Sequence, residues 1–107
     1  MATYQETFEV LGDSSRRAIL EALRYRPRAV GDLARQLPIS RPAVSQHLKV
    51  LQQAGLVAYD KQGTRNMYHP RADGLLPLKS WIDQFWTDAL TAFAEYTKES
   101  SDDDPHF

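Results

Sequence analysis

The sequence predicts a mainly α-helical domain that carries one small β-hairpin. Apolar residues recur at intervals of three and four in five segments, which is the spacing of one helix face. Two strand-like runs, Val57 to Lys61 and Arg65 to His69, flank a Gln-Gly-Thr turn. The 107 residues are 42% apolar and 25% charged, which suits one globular domain with a single core.

The first two predicted helices are short and meet at a glycine. Tyr4 to Leu11 forms the first helix, and Gly12 ends it. Asp13 or Ser14 can cap the second helix by accepting a hydrogen bond from an early backbone N–H. Pro27 is the expected stop of this second helix. Its apolar stripe comprises Ala18, Ile19, Ala22 and Leu23.

The middle of the chain predicts two helices joined by a tight turn. The third helix runs from about Val30 to Leu37. Ser40 is a good N-cap for the fourth, and Pro42 falls in its first turn, where a missing N–H costs little. This helix continues to about Ala54 and stops at Gly55, which accepts a positive φ. The predicted shared core comprises Val30, Leu33, Leu37, Ile39, Val44, Leu48 and Leu51.

Two helices, a glycine stop and a hairpin in this order predict a winged helix-turn-helix. The fourth helix would be the recognition helix, because an α-helix is narrow enough to enter the major groove of B-DNA. Charge favours the same interpretation. Residues 1–71 hold 11 Lys/Arg against 6 Asp/Glu, a net charge of +5, whereas residues 72–107 carry a net charge of −6.

The outward face of the fourth helix and the wing supply the predicted DNA contacts. Gln46 can pair with adenine through two hydrogen bonds, and Ser45 can contact several bases or phosphates. Arg65, near the hairpin tip, can reach the minor groove, where negative potential attracts arginine. Plain surface exposure is the alternative for these residues. The predicted DNA-binding residues are Ser40, Arg41, Pro42, Ser45, Gln46, Lys49, Lys61 and Arg65.

Three other polar residues near these helices receive a structural interpretation. His47 borders the apolar side of the fourth helix, so a packed or hydrogen-bonded imidazole is favoured over a phosphate contact. Arg16 and Arg17 precede a core stripe, and at least one is expected to have a structural role, with Glu21 or Glu9 as a partner.

The last helix, about Leu75 to Lys98, has too many apolar residues for one face. Its apolar band is wider than the roughly 100° that a one-sided surface helix needs. We therefore expect it to cover both the core of its own chain and a partner's helix, with a small-molecule pocket as the alternative. The predicted dimer interface comprises Tyr4, Phe8, Trp81, Phe85, Trp86, Leu90 and Phe93.

Composition limits the remaining possibilities. The chain has no cysteine and three scattered histidines, so we expect no thiol chemistry, metal, cofactor or catalytic group. Neither a membrane span nor a signal-peptide layout is visible, which predicts a cytoplasmic protein. Residues 1–99 are expected to form the winged domain with dimerisation helices at both ends. Residues 100–107 are expected to be a disordered acidic tail.

Three segments together resemble the ArsR (arsenic-repressor type) family of prokaryotic transcription regulators. They are LGDSSRRAIL, SRPAVSQHLKVLQQAGLV and the wing ending in NMYH, and the resemblance covers residues 6–96. It implies a homodimeric repressor that binds operator DNA, with the terminal helices forming the dimer interface. A winged protein-interaction module without DNA binding and a repressor released by a small ligand are the alternatives.

The chain departs from the sensing members of that family. Many of them bind metals through cysteine pairs before the recognition helix, where this chain reads AVGDLARQL, or through Asp/His/Glu sets in the last helix. Here the last helix offers carboxylates without histidine, which suit zinc poorly. The WIDQFW segment resembles a branch of small repressors in which ligand control is absent or unidentified.

Overall fold

The chain folds into five helices and one two-stranded antiparallel sheet, which confirms the predicted fold class. A computed structural model describes the backbone of residues 3–100 and the side chains of residues 3–98. The elements in chain order are α1 (Tyr4–Val10), α2 (Ser14–Ala22), α3 (Val30–Gln36), α4 (Arg41–Gln53), β1 (Val57–Gln62), β2 (Arg65–Pro70) and α5 (Leu76–Ser100).

Side-chain caps define where the first two helices begin. The Thr3 hydroxyl accepts the Glu6 N–H at 3.2 Å at the start of α1. At the start of α2, the Asp13 carboxylate accepts the N–H groups of Ser15 at 2.8 Å and Arg16 at 3.1 Å. Asp13, one of the two predicted caps, is therefore the N-cap. The hydrogen bond from the Arg16 N–H lowers the pKa of Asp13.

Arg16 and Arg17 have structural roles, but their partners are not the predicted glutamates. The Arg16 Nε donates to the Val10 carbonyl at 2.6 Å, and an Arg17 Nη donates to the Leu11 carbonyl. These carbonyls end α1, where helix geometry leaves them without intrahelical donors and with partial negative charge. The two arginines therefore join α1 to the first turn of α2.

Pro27 does not end α2, contrary to the sequence-based prediction. The helix stops at Ala22, with Leu23 as its C-cap. Arg28 explains the early stop, because its Nε donates to the Ala22 carbonyl at 2.9 Å and its backbone pairs with Tyr68 of β2. The chain must leave the helix before Pro27 in order to reach the wing.

The core is built around the apolar face of α4, as the sequence predicts. Val44, Leu48 and Leu51 are fully buried against residues of α2, α3 and β1. Leu33 is also buried, whereas the predicted core residues Val30, Leu37 and Ile39 are half-buried at its edge. The other large, fully buried apolar side chains are Ile19, Leu23, Leu56 and Val57.

The wing is a hairpin whose strands are each one residue longer than predicted. Gln62 pairs with Arg65, so the turn consists of Gly63 and Thr64. Gly63 has a φ of 63°, which a residue with a side chain adopts only at a cost. The backbone of Arg28 bonds to that of Tyr68 in both directions, at 3.0 and 2.8 Å, and this fixes the wing to the segment before α3.

The last helix, α5, packs against α1 near its own start and is exposed along most of its length. Its described end at Ser100 is two residues beyond the predicted Lys98. The rest of the predicted disordered tail lies outside the described residues. Within the described part of the chain, no helix is both long and apolar enough to span a membrane.

We predict that Leu48→Ala lowers the free energy of unfolding by about 2–5 kcal/mol. The substitution leaves a cavity beneath α4 that its neighbours fill only in part. Urea denaturation of this variant and of Gln52→Ala, an exposed position on the same helix, should be compared at one protein concentration. Equal losses in the two variants would contradict this description of the core.

Candidate nucleic-acid interface

Helix α4 presents opposite surfaces to the core and to solvent. The buried Val44, Leu48 and Leu51 fix one face. The side chains of Ser45, Gln46 and Lys49 are exposed on the other face, and Arg41 and Pro42 are exposed in the first turn. The structure therefore brings the five α4 residues of the predicted DNA-binding set onto one accessible surface.

Ser40 and Pro42 determine where this surface begins. The Ser40 Oγ accepts the Ala43 N–H at 3.3 Å, and Pro42 occupies the first turn, as the sequence predicts. Gly55, with a φ of 77°, follows the end of the helix. Helix α4 is thus a 13-residue rod with defined ends.

His47 lies between the two faces of α4 and is half-buried. Its Nδ1 is buried and has no hydrogen-bond partner among the described residues. The buried Nδ1 agrees with the favoured packed imidazole, and a phosphate contact remains the alternative. The Nδ1 side of His47 therefore belongs to the packed side of α4 and not to its outward surface.

The two predicted wing residues have different surroundings. Lys61 is exposed near the end of β1. Arg65 is paired, because one of its Nη atoms donates to the Asp32 Oδ2 at 2.8 Å. Its side chain is still 53% exposed, so the guanidinium remains accessible while it is held against α3. The predicted DNA contact of Arg65 stays a prediction, now with a defined side-chain direction.

Asp32 connects α3, the preceding loop and the wing. Its Oδ2 accepts the Ala29 N–H at 3.1 Å as well as Arg65, and its Oδ1 accepts an Nη of Arg35 at 2.6 Å. The backbone hydrogen bond from Ala29 lowers the pKa of Asp32, and Arg65 lowers it further. The carboxylate thus stays charged and holds two arginines at the edge of the interface.

The sequence pattern does not single out Arg35 or Asp32, although both border this surface. Their spacing of three residues on one helix is a recognisable ion-pair signal. The link from Asp32 to Arg65 has no such signal, because 33 residues separate the two. Only the position of the wing reveals it.

A second surface, here called the aromatic face, lies away from α4 and comprises Tyr4, Phe8, Trp81, Phe85 and Trp86. The Trp81 ring stacks on Tyr4 and on Phe85, with ring centroids 5.8 and 5.5 Å away. All five side chains are nevertheless 39–56% exposed, although apolar rings of this size usually bury most of their area. Leu90 is 61% exposed further along α5, and Phe93 is half-buried.

Residues 3–98 show no group of three or more His, Asp or Glu side chains placed to hold a metal ion. What the fold does present is a helix with a buried apolar face and an exposed polar face, braced by α3 and followed by a two-stranded wing. This arrangement defines a winged helix-turn-helix DNA-binding protein.

Comparison with known proteins agrees with this class. Residues 13–59 match the family described as bacterial regulatory protein, arsR family. The chain is 49% identical over 106 residues to the HTH-type transcriptional regulator Rv2034 of Mycobacterium tuberculosis, covering 96% of this chain and 99% of that one. It is 31% identical over 78 residues to the transcriptional repressor SdpR of Bacillus subtilis, covering 73% and 87% respectively.

Solved structures give the same result. An ArsR-like transcriptional regulator from Rhodococcus sp. RHA1 superposes with a TM-score of 0.80 at 26% identity, covering 94% of this chain and 92% of that one. The homodimeric winged helix-turn-helix DNA-binding domain of Mb0332 from Mycobacterium bovis gives 0.63 at 26% identity, with coverage of 78% and 77%.

The chain therefore belongs to the arsR family of bacterial transcription regulators. The resemblance seen in the sequence is confirmed, and the matched relatives are regulators rather than enzymes.

We predict that the contribution of Asp32 to stability disappears in acid. Its pKa is lowered by folding, so its stabilisation is complete above the ordinary value of 3.8 and is lost as the pH falls through the folded value. Urea midpoints of the wild type and Asp32→Asn should differ at pH 6 and converge as the pH falls below 3.8 and through the folded pKa of Asp32. A difference that stays constant over this range would contradict the assigned role of the carboxylate.

Proposed function

We propose that this protein is a sequence-specific transcriptional repressor that binds an inverted-repeat operator as a homodimer in the cytoplasm, without metal or redox sensing. The observation that carries the proposal is the division of α4 into a buried apolar face and an exposed polar face. A helix anchored in this way can enter the major groove without disturbing the core.

The exposed side chains of α4 support a division of roles at the DNA. Gln46 offers both a donor and an acceptor, which matches adenine in the major groove, and Ser45 beside it can contact either bases or backbone. Arg41, Lys49 and Lys61 carry charges suited to phosphates, and such contacts make affinity fall steeply with salt. Pro42 can meet a thymine methyl group, and Ser40 can contact a phosphate in addition to capping the helix.

The aromatic face supports the homodimer. The rings of the aromatic face stack on one another yet remain about half exposed. This leaves a large apolar area for a second copy to cover. The Mb0332 domain, of similar fold, is described as homodimeric. Leu90 and Phe93 extend the proposed interface along α5. A two-fold dimer presents two copies of α4, and its operator is therefore an inverted repeat.

Two further observations support repression without a metal or thiol sensor. The relative SdpR is named a transcriptional repressor, and a protein that occupies a promoter can block it without any further surface. The sequence has no cysteine with which to sense metals or oxidants.

Mobility-shift titrations test the proposal with the DNA upstream of the protein's own gene and a scrambled duplex of equal composition. We expect tighter binding to the upstream region and a footprint with two-fold symmetry. Equal affinity for the two duplexes would contradict sequence-specific repression.

We predict that Gln46→Ala weakens binding to the footprinted site by about 1–3 kcal/mol and relaxes base preference at one position in each half-site. Gln52→Ala is the matched control, because it removes the same side chain from an exposed position at the C-terminal end of α4, away from the N-terminal residues that recognition helices direct at base edges. Identical affinities and base preferences for the two variants would argue against Gln46 as a base-reading residue.

We predict that Phe85→Glu yields monomers and weakens operator binding by at least tenfold, because it places a charge within the proposed dimer interface. Tyr25→Glu is the control, since Tyr25 is 84% exposed and lies outside the aromatic face. Light scattering should report a monomer for the first variant and a dimer for the second. A dimer of unchanged stability for Phe85→Glu would exclude this face as the interface.

A further inference from the structure

Three arginines from three different elements converge on one cleft beside the recognition helix. The cleft has a volume of about 410 Å³ and lies between α3, the start of α4 and the wing. Arg35 comes from α3, Arg41 from α4 and Arg65 from β2, while Thr64 and Asn66 of the wing add polar groups to the wall. We call this feature the arginine cleft.

Two of these arginines lie next to Gly31. A Cβ atom placed on Gly31 would lie 3.6 Å from an Nη of Arg35 and 3.7 Å from an Nη of Arg41. Both guanidinium groups therefore lie over the same small residue. Like charges held this close repel each other unless an anion lies between or beside them.

Among the described residues, the acidic side chains that pair with these arginines do not balance their positive charge. Asp32 is shared by Arg35 and Arg65, and Arg41 forms no ion pair within the described part of the chain. Three positive charges thus face one carboxylate. The side chains of Arg35 and Arg65 are 73% and 53% exposed, so each retains donors that an incoming ligand can reach.

We propose that the arginine cleft binds a phosphodiester group of the operator backbone, with Arg35 as a contact in addition to Arg41 and Arg65. A phosphodiester carries a single negative charge, and its oxygens match the planar donor fork of arginine. Asp32 positions the guanidinium groups of Arg35 and Arg65 before the DNA arrives, which reduces the entropy lost on binding.

The location of the arginine cleft fits a backbone contact. Arg41 is the first residue of α4, and recognition helices enter the major groove with their N-terminal residues foremost. The DNA backbone that borders the groove must therefore pass close to the first turn of α4. The wing forms the opposite wall, so Arg65 approaches the backbone from that side while bound to Asp32.

This inference rests on the proposed function, and a charge-matched pair of variants tests it. Arg35→Gln removes one charge from the arginine cleft. Arg24→Gln removes one exposed charge outside it, next to Tyr25. Affinity for the footprinted operator and for a scrambled duplex should be measured by fluorescence anisotropy between 50 and 200 mM salt, values chosen to span a large change in affinity.

We expect Arg35→Gln to weaken binding to both duplexes by about tenfold and to make the salt slope shallower by up to about 0.9, the value for one phosphate that is no longer neutralised. Arg65→Gln should behave in the same way, and base preference should not change. Arg24→Gln should match the wild type. Equal salt slopes for Arg35→Gln and Arg24→Gln would overturn the assignment.

Neutral methylphosphonate linkages locate the contact on the DNA. Replacing phosphates one at a time should weaken wild-type binding most at one symmetric pair of positions, and Arg35→Gln should be less sensitive there because it keeps only two of the three arginines. If Arg35→Gln is as sensitive as the wild type at every position, Arg35 does not contact a phosphate and the proposal is wrong. Thermal melting and light scattering should show that the three variants keep the fold and the oligomeric state of the wild type.

These outcomes separate the inference from the proposed function. If the wild-type protein binds operator and scrambled DNA equally well, sequence-specific repression is contradicted. The salt slopes of the variants can still be compared on any duplex, because phosphate contacts do not depend on sequence. If the wild type prefers its operator and Arg35→Gln has the affinity and salt slope of the wild type, only the proposal for the arginine cleft is contradicted.

Discussion

The burial of one face of α4 is the constraint on which the rest of the structure depends. Val44, Leu48 and Leu51 are fully buried, and this fixes the rotation of the helix about its own axis. The direction of Gln46 and Lys49 then follows from the helical repeat rather than from any contact of their own. The exposed side chains can consequently vary with the operator while the fold stays the same.

A second, electrostatic constraint determines where the wing lies. The bridge between Arg28 and Tyr68 attaches the backbone of β2 to the loop before α3, and Asp32 holds the side chain of Arg65 to α3 itself. Isolated two-stranded hairpins are only marginally stable in water, so these attachments hold the wing in a fixed position relative to α4. The same attachments create the arginine cleft.

The sequence predicts most of this fold because its signals are local. Apolar spacing locates all five helices, and Ser40, Asp13 and Gly55 mark helix ends through hydrogen bonds or dihedral angles within a few residues. The sequence fails to predict contacts whose partners belong to different elements of the fold. The early end of α2, the carbonyl partners of Arg16 and the pairing of Arg65 with Asp32 all depend on tertiary packing, which no short pattern encodes.

In the proposed complex, two copies of α4, related by two-fold symmetry, read bases in adjacent major grooves. The most direct measurement is selection of binding sites by the wild-type protein from random duplex DNA, followed by sequencing. We expect an enriched inverted repeat whose half-site centres are about 10 base pairs apart. Failure to enrich any sequence, or enrichment of a single unpaired half-site, would contradict it.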